Sequence, residues 1–204
     1  MIIVGLTGGI ASGKTAVANM FKDAGYTVLD SDAFAKEVVL PYEPAWHEIK
    51  QTFGEKYFLP DGQLNRRLLA ENIFGDAEAR QKLNRIVHPR VLGMISQGLG
   101  ESRLRGERLV LVDMPLLFEI GYDEKVDITV VVSVSQDIQI SRLMQRDGLT
   151  LSEAQKRINA QLPLSIKAKR ADCVIDNSGS LEDTSKHVSN LIAKLQNRAS
   201  RSTC

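Results

Sequence analysis

One glycine-rich segment near the start of the chain restricts the possible folds more than any other feature. Residues 8–15 read Gly-Gly-Ile-Ala-Ser-Gly-Lys-Thr and match the pattern G-x-x-x-x-G-K-[ST] in full. The apolar residues 2–7 precede the segment and predict a buried strand, and Val17, Met20 and Phe21 follow it at helical spacing. A strand, such a loop and a helix in this order predict a phosphate-binding loop (P-loop) at one edge of a parallel sheet.

Each part of the motif has a physical role in holding a phosphate. Glycines allow backbone N–H groups to point at the anion, and the following helix adds the positive end of its dipole. We expect Lys14 to reach the β- and γ-phosphates and the hydroxyl of Thr15 to bind Mg²⁺. The predicted nucleotide-binding residues of this segment are Gly8, Gly9, Ile10, Ala11, Ser12, Gly13, Lys14, Thr15 and Ala16.

The remaining chain alternates between strand and helix patterns, which predicts an α/β fold with a parallel five-stranded sheet flanked by helices. Residues 33–106 carry helical periods only, and we interpret them as an inserted helical subdomain in which Asn65 and Asp76 begin helices and Pro89 begins a further one. Residues 137–170 are basic, contain a Thr150-x-x-Glu153 capping box and Pro163, and we expect them to form a helical lid. The later strands are predicted at 26–30, 109–113, 128–134 and 172–176, and the nucleotide-binding core is expected to comprise 1–32, 107–136 and 171–204.

Composition excludes several classes of protein. The chain has 204 residues, of which 43% are hydrophobic, and a formal net charge of only +1. The overall charge therefore does not indicate a protein that binds nucleic acid or membranes. Two cysteines are too few for a disulfide framework or a zinc site. No apolar stretch approaches the ~20 residues of a membrane helix. The sequence predicts one soluble cytoplasmic domain with no nucleic-acid, membrane or obligate protein partner.

Carboxylates at predicted strand ends are candidates for catalysis. Asp30 and Asp32 follow the second strand, at the sheet edge that carries the P-loop, so either could meet an acceptor hydroxyl. Either could equally cap the next helix, and spacing does not decide between these roles. Asp113 ends the third strand, where it could hold Mg²⁺ through water or simply form a turn.

A P-loop predicts nucleotide binding without specifying a reaction. The chain has no N-K-x-D guanine-reading motif, which disfavours a GTPase. Arg142 and Arg146 lie four residues apart on one predicted helix face of the lid, where they could cover a transferring phosphoryl group. These features favour a small-molecule kinase. A nucleoside or nucleotide kinase and a nucleotide-dependent switch remain alternatives.

Further segments make the chain resemble one family, the dephospho-coenzyme A kinases. The resemblance runs in order along nearly the whole chain. Its carriers are Gly5–Thr15, Leu29–Ala33, Leu64–Arg66, His88-Pro89, Pro115–Glu119, Arg142 to Asp147 and Asp172 to Gly179. Members commonly have Gly where this chain has Ala11, and Ala where it has Ser31. The methyl group of Ala11 could tighten the loop slightly and is not expected to abolish activity.

The resemblance implies ATP-dependent phosphorylation of the ribose 3′-hydroxyl of dephospho-CoA, the last step of CoA synthesis. By the same resemblance Asp32 would be the general base and Arg142 the main lid arginine, with Lys14 as the third catalytic residue. Arg146, Asn177 and Gly179 would border ATP. The residues expected to bind the acceptor, besides Asp32, are Arg66, His88, Leu116 and Glu119.

Overall fold

The computed structural model describes residues 1–73 and 75–201, with side chains through residue 198. Contacts between Cα atoms divide the chain into two compact units. The first unit comprises Met1–Leu29 and Glu101–Cys204, and the second comprises Asp30–Gly100. The second unit covers most of residues 33–106, for which the sequence predicts helices only, and begins three residues earlier.

The described part of the chain contains one five-stranded sheet. Its strands are β1 (Ile2–Gly8), β2 (Thr27–Asp30), β3 (Leu109–Asp113), β4 (Ile128–Ser133) and β5 (Cys173–Asp176). The strand order is β2-β3-β1-β4-β5, and the pairs β1–β3, β1–β4 and β4–β5 are parallel. This architecture confirms the predicted fold class, and the predicted strand ends agree with the structure within one residue.

The strand register brings the carboxyl ends of the central strands to one edge of the sheet. Leu6 of β1 lies opposite Asp113 of β3 and Val130 of β4. The P-loop therefore leaves β1 beside the end of β3. Apolar side chains occupy nearly every position of these central strands because both faces of the sheet are covered.

Two helices pack on the sheet and complete the main hydrophobic core. They are α1 (Lys14–Asp23) and α9 (Leu181–Arg201). Val17 and Phe21 of α1 and Val188 of α9 are buried together with Leu6 and Leu111 of the sheet. Burying these side chains provides most of the stabilisation of this layer, at about 25 cal/mol per Å² of apolar surface.

The predicted lid segment forms three short helices of the first unit, α6 (Gln136–Asp147), α7 (Leu151–Asn159) and α8 (Leu164–Arg170). Thr150 and Glu153 form the predicted capping box of α7. Gly148, in the left-handed region at φ 66°, ends α6, and Pro163 directly precedes α8. Local turn and cap residues thus separate the three helices.

The second unit contains α2 (Ser31–Glu37), α3 (Pro44–Phe53), α4 (Arg66–Ile73) and most of α5 (Ala77–Leu104). A short 3₁₀ helix spans Glu55–Tyr57. The predicted caps Asn65 and Asp76 accept hydrogen bonds from the N–H groups of Leu68 and Ala79. Trp46 is buried and donates its indole N–H to the carbonyl of Gly62 at 2.7 Å.

The prediction that Pro89 begins a separate helix is wrong, because Pro89 lies inside the 28-residue helix α5. Proline lacks an N–H group and its ring crowds the preceding turn. The guanidinium of Arg90, the next residue, donates to the carbonyl oxygen of Ile86 at 2.6 Å, within the same part of α5. Within the residues described, no helix is long and apolar enough to span a membrane.

Candidate active site

Gly13 of the P-loop is the N-cap of α1 and has a φ of 89°. Only glycine adopts this conformation readily. A side chain at Gly13 would also collide with Nδ2 of Asn177, which donates to the carbonyl of Ser12 at 2.8 Å. Gly13 therefore provides both the left-handed turn and the space that Asn177 needs.

Asn177 is a buried residue in the loop between β5 and α9, and it supports the P-loop. Its amide oxygen accepts a hydrogen bond from Thr184 Oγ1 at 2.7 Å, and its backbone N–H donates to the carbonyl of Ser133. The amide group of the Asn177 side chain is thus engaged by Ser12 and Thr184. The predicted contact of Asn177 and Gly179 with ATP stays a prediction, and the structure gives Asn177 a supporting role in addition.

Lys14 and Asp113 form the ion pair at the centre of the site. Nζ of Lys14 lies 2.6 Å from Oδ1 of Asp113, and their side chains are only 13% and 5% exposed. Parallel pairing places Asp113 opposite Leu6 of β1, and the P-loop that follows β1 brings Lys14, the first residue of α1, to that carboxylate. Asp113 therefore positions the lysine that the motif assigns to the phosphates. Thr15 follows Lys14 in the first turn of α1, and it is exposed.

The segment after β3 contacts the predicted lid (residues 137–170) through a buried lysine. Lys167 of α8 is fully buried, and its Nζ atom lies 2.8 Å from both the carbonyl oxygen of Pro115 and Oε1 of Glu119. Burial lowers the pKa of Lys167, although the hydrogen bond and charge of Glu119 oppose this shift. Thr7 at the end of β1 donates to the same Pro115 carbonyl at 2.9 Å.

Two residues predicted to bind the acceptor lie in this segment. Glu119 also accepts a hydrogen bond from the N–H group of Leu162 at 3.1 Å, so it holds two parts of the lid. Leu116 is partly exposed, whereas the neighbouring Leu117 and Phe118 are buried. Glu119 therefore has a structural role in this unit, and acceptor contacts of Leu116 and Glu119 remain predictions.

Arg142 and Arg146, the two arginines of the predicted lid, have different partners. Arg142 of α6 donates from Nη2 to the carbonyl oxygen of Asn177 at 3.0 Å, which places it near the P-loop. Arg146 instead pairs with Asp147 through two hydrogen bonds of 2.8 and 3.1 Å. Asp147 also accepts from Arg157, and the hydrogen bond and charge of Arg146 lower its pKa. Of the two arginines, Arg142 is held closer to the residues of the P-loop.

Asp30 and Asp32 of the second unit have different roles. Oδ1 of Asp30 accepts from the N–H groups of Asp32 and Ala33 at 2.9 and 3.2 Å, so Asp30 is the N-cap of α2. Asp32 lies in the first turn of that helix and is exposed. The structure thus resolves which of the two carboxylates serves as the cap.

Arg66 and His88 belong to the second unit as well. Arg66 begins α4 and donates to the carbonyl oxygen of Lys36, at the end of α2, at 2.6 Å. Desolvation lowers the pKa of Arg66 and that of the half-buried imidazole of His88. Arg66 therefore connects α4 with the helix that carries Asp32.

Sequence reasoning did not identify several residues that contact the site. Gln139 and Gln161 bond the backbone of Ile10, Thr184 holds Asn177, and Lys167 holds Glu119. Gln139 precedes Arg142 by three residues on α6, and this spacing could have indicated a shared helix face. The basic lid sequence contains nothing that distinguishes the buried Lys167 from the exposed Lys169.

Comparisons with known proteins agree on one family. The family model described as dephospho-CoA kinase (CoaE) matches residues 2–183. A dephospho-CoA kinase of Bacillus licheniformis is 48% identical over 191 residues, which cover 94% of this chain and 95% of the relative. The crystal structure of a Thermus thermophilus protein superposes with a TM-score of 0.81 at 38% identity and covers 95% of this chain and 97% of that one. A Campylobacter jejuni dephospho-CoA kinase shares the fold, with a TM-score of 0.65 at 23% identity and coverage of 95% and 96%.

Proposed function

This chain belongs to the dephospho-CoA kinase family, and on that premise we propose that it phosphorylates the ribose 3′-hydroxyl of dephospho-CoA with ATP, giving CoA and ADP. The observation that carries the proposal is the P-loop with its buried Lys14–Asp113 pair, in a chain whose family match extends over residues 2–183. We also propose that the reaction takes place in the cytoplasm, where no partner protein is required.

Lys14 and the P-loop amides hold the phosphates of ATP. The backbone N–H groups of the loop and the N-terminus of α1 offer partial positive charge, and the ammonium of Lys14 adds a full charge. Asp113 restrains that ammonium, so less conformational freedom is lost when the nucleotide binds. Asn177 supports the loop through the Ser12 carbonyl.

The transfer step needs a base and a cation near the γ-phosphoryl group. The 3′-oxygen of dephospho-CoA forms a bond to the γ-phosphorus while the bond from that phosphorus to the β,γ-bridging oxygen breaks, and ADP leaves. The exposed carboxylate of Asp32 accepts the hydroxyl proton, a role open to it because Asp30 caps the helix. Arg142 stabilises the charge that develops on the phosphoryl oxygens.

The oxygen donors beside Lys14 suit a magnesium ion. The Thr15 hydroxyl would hold Mg²⁺ directly and Asp113 would hold it through water, since Mg²⁺ binds phosphates and one or two protein oxygens while keeping several waters. When bound, Mg²⁺ neutralises charge on the β- and γ-phosphates.

The second unit, with Asp32, Arg66 and His88, provides the acceptor site in this proposal, and residues 137–170 act as the lid. Arg66 supports the proposal because it bonds the end of the helix that carries Asp32. Lid closure would exclude water from the phosphoryl group and so favour transfer over hydrolysis.

An ADP-release assay with ATP and Mg²⁺ tests the function. Parallel reactions contain dephospho-CoA, AMP, a nucleoside or no acceptor. We expect turnover with dephospho-CoA alone and a product with a new 3′-phosphate. Turnover with AMP or a nucleoside would contradict the acceptor and indicate a nucleotide kinase. ADP release that ignores every acceptor would contradict the kinase function and indicate a nucleotide-dependent switch.

A further inference from the structure

A tight turn forms the tip of the P-loop. The N–H group of Ser12 donates to the carbonyl oxygen of Gly9 at 3.0 Å, so Ile10 and Ala11 are the central residues of a four-residue turn. Of these two, only Ala11 has a positive φ, at 59°. A positive φ at the second central position defines a type II turn, and that position strongly favours glycine. This chain places alanine there.

Two lid glutamines hold both backbone polar groups of Ile10. Gln139 of α6 donates from Nε2 to the Ile10 carbonyl oxygen at 2.7 Å. Gln161, which follows α7, accepts from the Ile10 N–H group at 2.9 Å. The peptide units on both sides of the Ile10 Cα atom are therefore fixed by side chains that lie about 130 and 150 residues away in sequence.

The burial of Gln139 and the lack of a side chain on Gly9 both favour the contact between Gln139 and Ile10. The Gln139 residue is only 3% exposed, although it belongs to a largely polar helix. A Cβ atom on Gly9 would collide with Nε2 of Gln139, so the glycine at that position allows the amide to approach the loop. A buried amide retains this position because leaving its N–H group without an acceptor would cost the desolvation of that group.

The hydrogen bond from Gln139 determines how the tip of the loop is oriented. Type I and type II turns differ by a flip of their central peptide, here the unit joining Ile10 to Ala11. This peptide is trans, so its C=O and N–H groups point in opposite directions. Holding the Ile10 carbonyl toward α6 consequently points the Ala11 N–H group away from α6.

We infer that Gln139 is a positioning residue that keeps the Ile10–Ala11 peptide in its type II orientation and thereby aims the Ala11 N–H group at the nucleotide phosphates. Gln161 supports it by fixing the preceding peptide. The hydrogen bond offsets the preference of alanine for negative φ. The inference rests on the proposed function only in that the P-loop binds a nucleotide, and it is independent of which hydroxyl receives the phosphate.

Equilibrium binding of ADP, measured by calorimetry without any acceptor, tests this role. Gln139→Met keeps the side-chain length and removes the amide, and we expect it to weaken ADP binding about five- to tenfold. In an Ala11→Gly background the same substitution should cost less than about twofold, because glycine adopts positive φ readily. Gln145→Met, on the exposed part of the same helix, is the matched control and should bind ADP as the wild type does.

Steady-state kinetics add a second readout. The KM for ATP should rise with the ADP dissociation constant in Gln139→Met, whereas the KM for dephospho-CoA should stay within about twofold of the wild type. If Gln139→Met does not fold, Gln139→Glu replaces it, because a carboxylate cannot donate to the Ile10 carbonyl and repels it.

Two results would overturn the inference. One is unchanged ADP affinity in the folded Gln139 variant. The other is an equal loss of affinity in the wild-type and Ala11→Gly backgrounds, which would show that Gln139 does not act through the turn. If the wild-type protein binds ADP normally but fails to phosphorylate dephospho-CoA, only the proposed function is contradicted. The ADP-binding test of Gln139 remains valid in that case.

Discussion

Lys14 and Asp113, 99 residues apart in sequence, meet at 2.6 Å between Nζ and Oδ1 where β1 and β3 end side by side. The P-loop lysine is thus held by a carboxylate of the neighbouring strand. Lys14→Ala should abolish productive ATP binding and also lower the free energy of unfolding by about 3 kcal/mol, because a largely buried carboxylate loses its cation.

A double variant separates the two effects of this change. Lys14→Ala/Asp113→Asn removes both charges and should regain part of the stability, while ATP binding stays lost. Urea denaturation and calorimetric titration with ATP measure the two quantities. Normal turnover in Lys14→Ala would contradict the role of the P-loop lysine.

Asp32→Asn should lower kcat about 10²- to 10⁴-fold and leave ADP binding nearly unchanged, because the amide cannot accept the hydroxyl proton. Asp30→Asn is the matched control, since asparagine is as good an N-cap as aspartate and should preserve both α2 and turnover. Single-turnover kinetics of both variants measures the rate of phosphoryl transfer and shows which carboxylate is the base. Near-full kcat in Asp32→Asn together with a large loss in Asp30→Asn would assign the base to Asp30.

Arg142→Ala should lower kcat about 10²-fold or more, since Arg142 lies near the P-loop and would stabilise transition-state charge. Arg146→Ala should have a smaller effect, because Arg146 is already paired with Asp147 at the surface. Comparing kcat and the KM for ATP of both variants tests this order. A larger loss of kcat in Arg146→Ala would reverse the two roles.

Glu119→Gln should destabilise the protein by about 3 kcal/mol, because it removes the anionic partner of a fully buried ammonium. Adding Lys167→Met to that variant should recover part of the loss. Lys169→Met, on the exposed side of the same helix, should stay within about 0.5 kcal/mol of the wild type. Urea unfolding of the wild type, both single variants at Glu119 and Lys167, the double variant and Lys169→Met measures these differences. Additive costs of Glu119→Gln and Lys167→Met would argue against the coupling.

Stability should depend on pH through His88. Its partial burial lowers the pKa of the imidazole below the ordinary value of 6.5. Between the lowered pKa and 6.5 the unfolded chain binds more protons than the folded one, so the free energy of unfolding rises with pH across this window and falls on acidification. Urea midpoints at several pH values should show a steeper slope for the wild type than for His88→Gln. Identical slopes would indicate that His88 does not contribute.

Several local elements could be predicted from the sequence because each depends on residues within a turn or two. The P-loop pattern, the caps Asn65 and Asp76, the Thr150–Glu153 capping box and the strands of the sheet are of this kind. The family resemblance, too, follows from residues that are read directly along the chain. Pro89 shows the limit of such local rules, since a long helix accommodates it where the local signal indicates a start.

Only the tertiary structure decided which side chains act together. Asn177 reaches Ser12 across 165 residues and Gln139 reaches Ile10 across 129, and Lys167 is buried although Lys169 on the same helix is exposed. These contacts depend on strand order, register and the packing of the lid helices, none of which is encoded in a short window of residues. The sequence by itself therefore determined that a phosphate-binding loop forms, whereas the fold determined which groups hold the loop in its conformation.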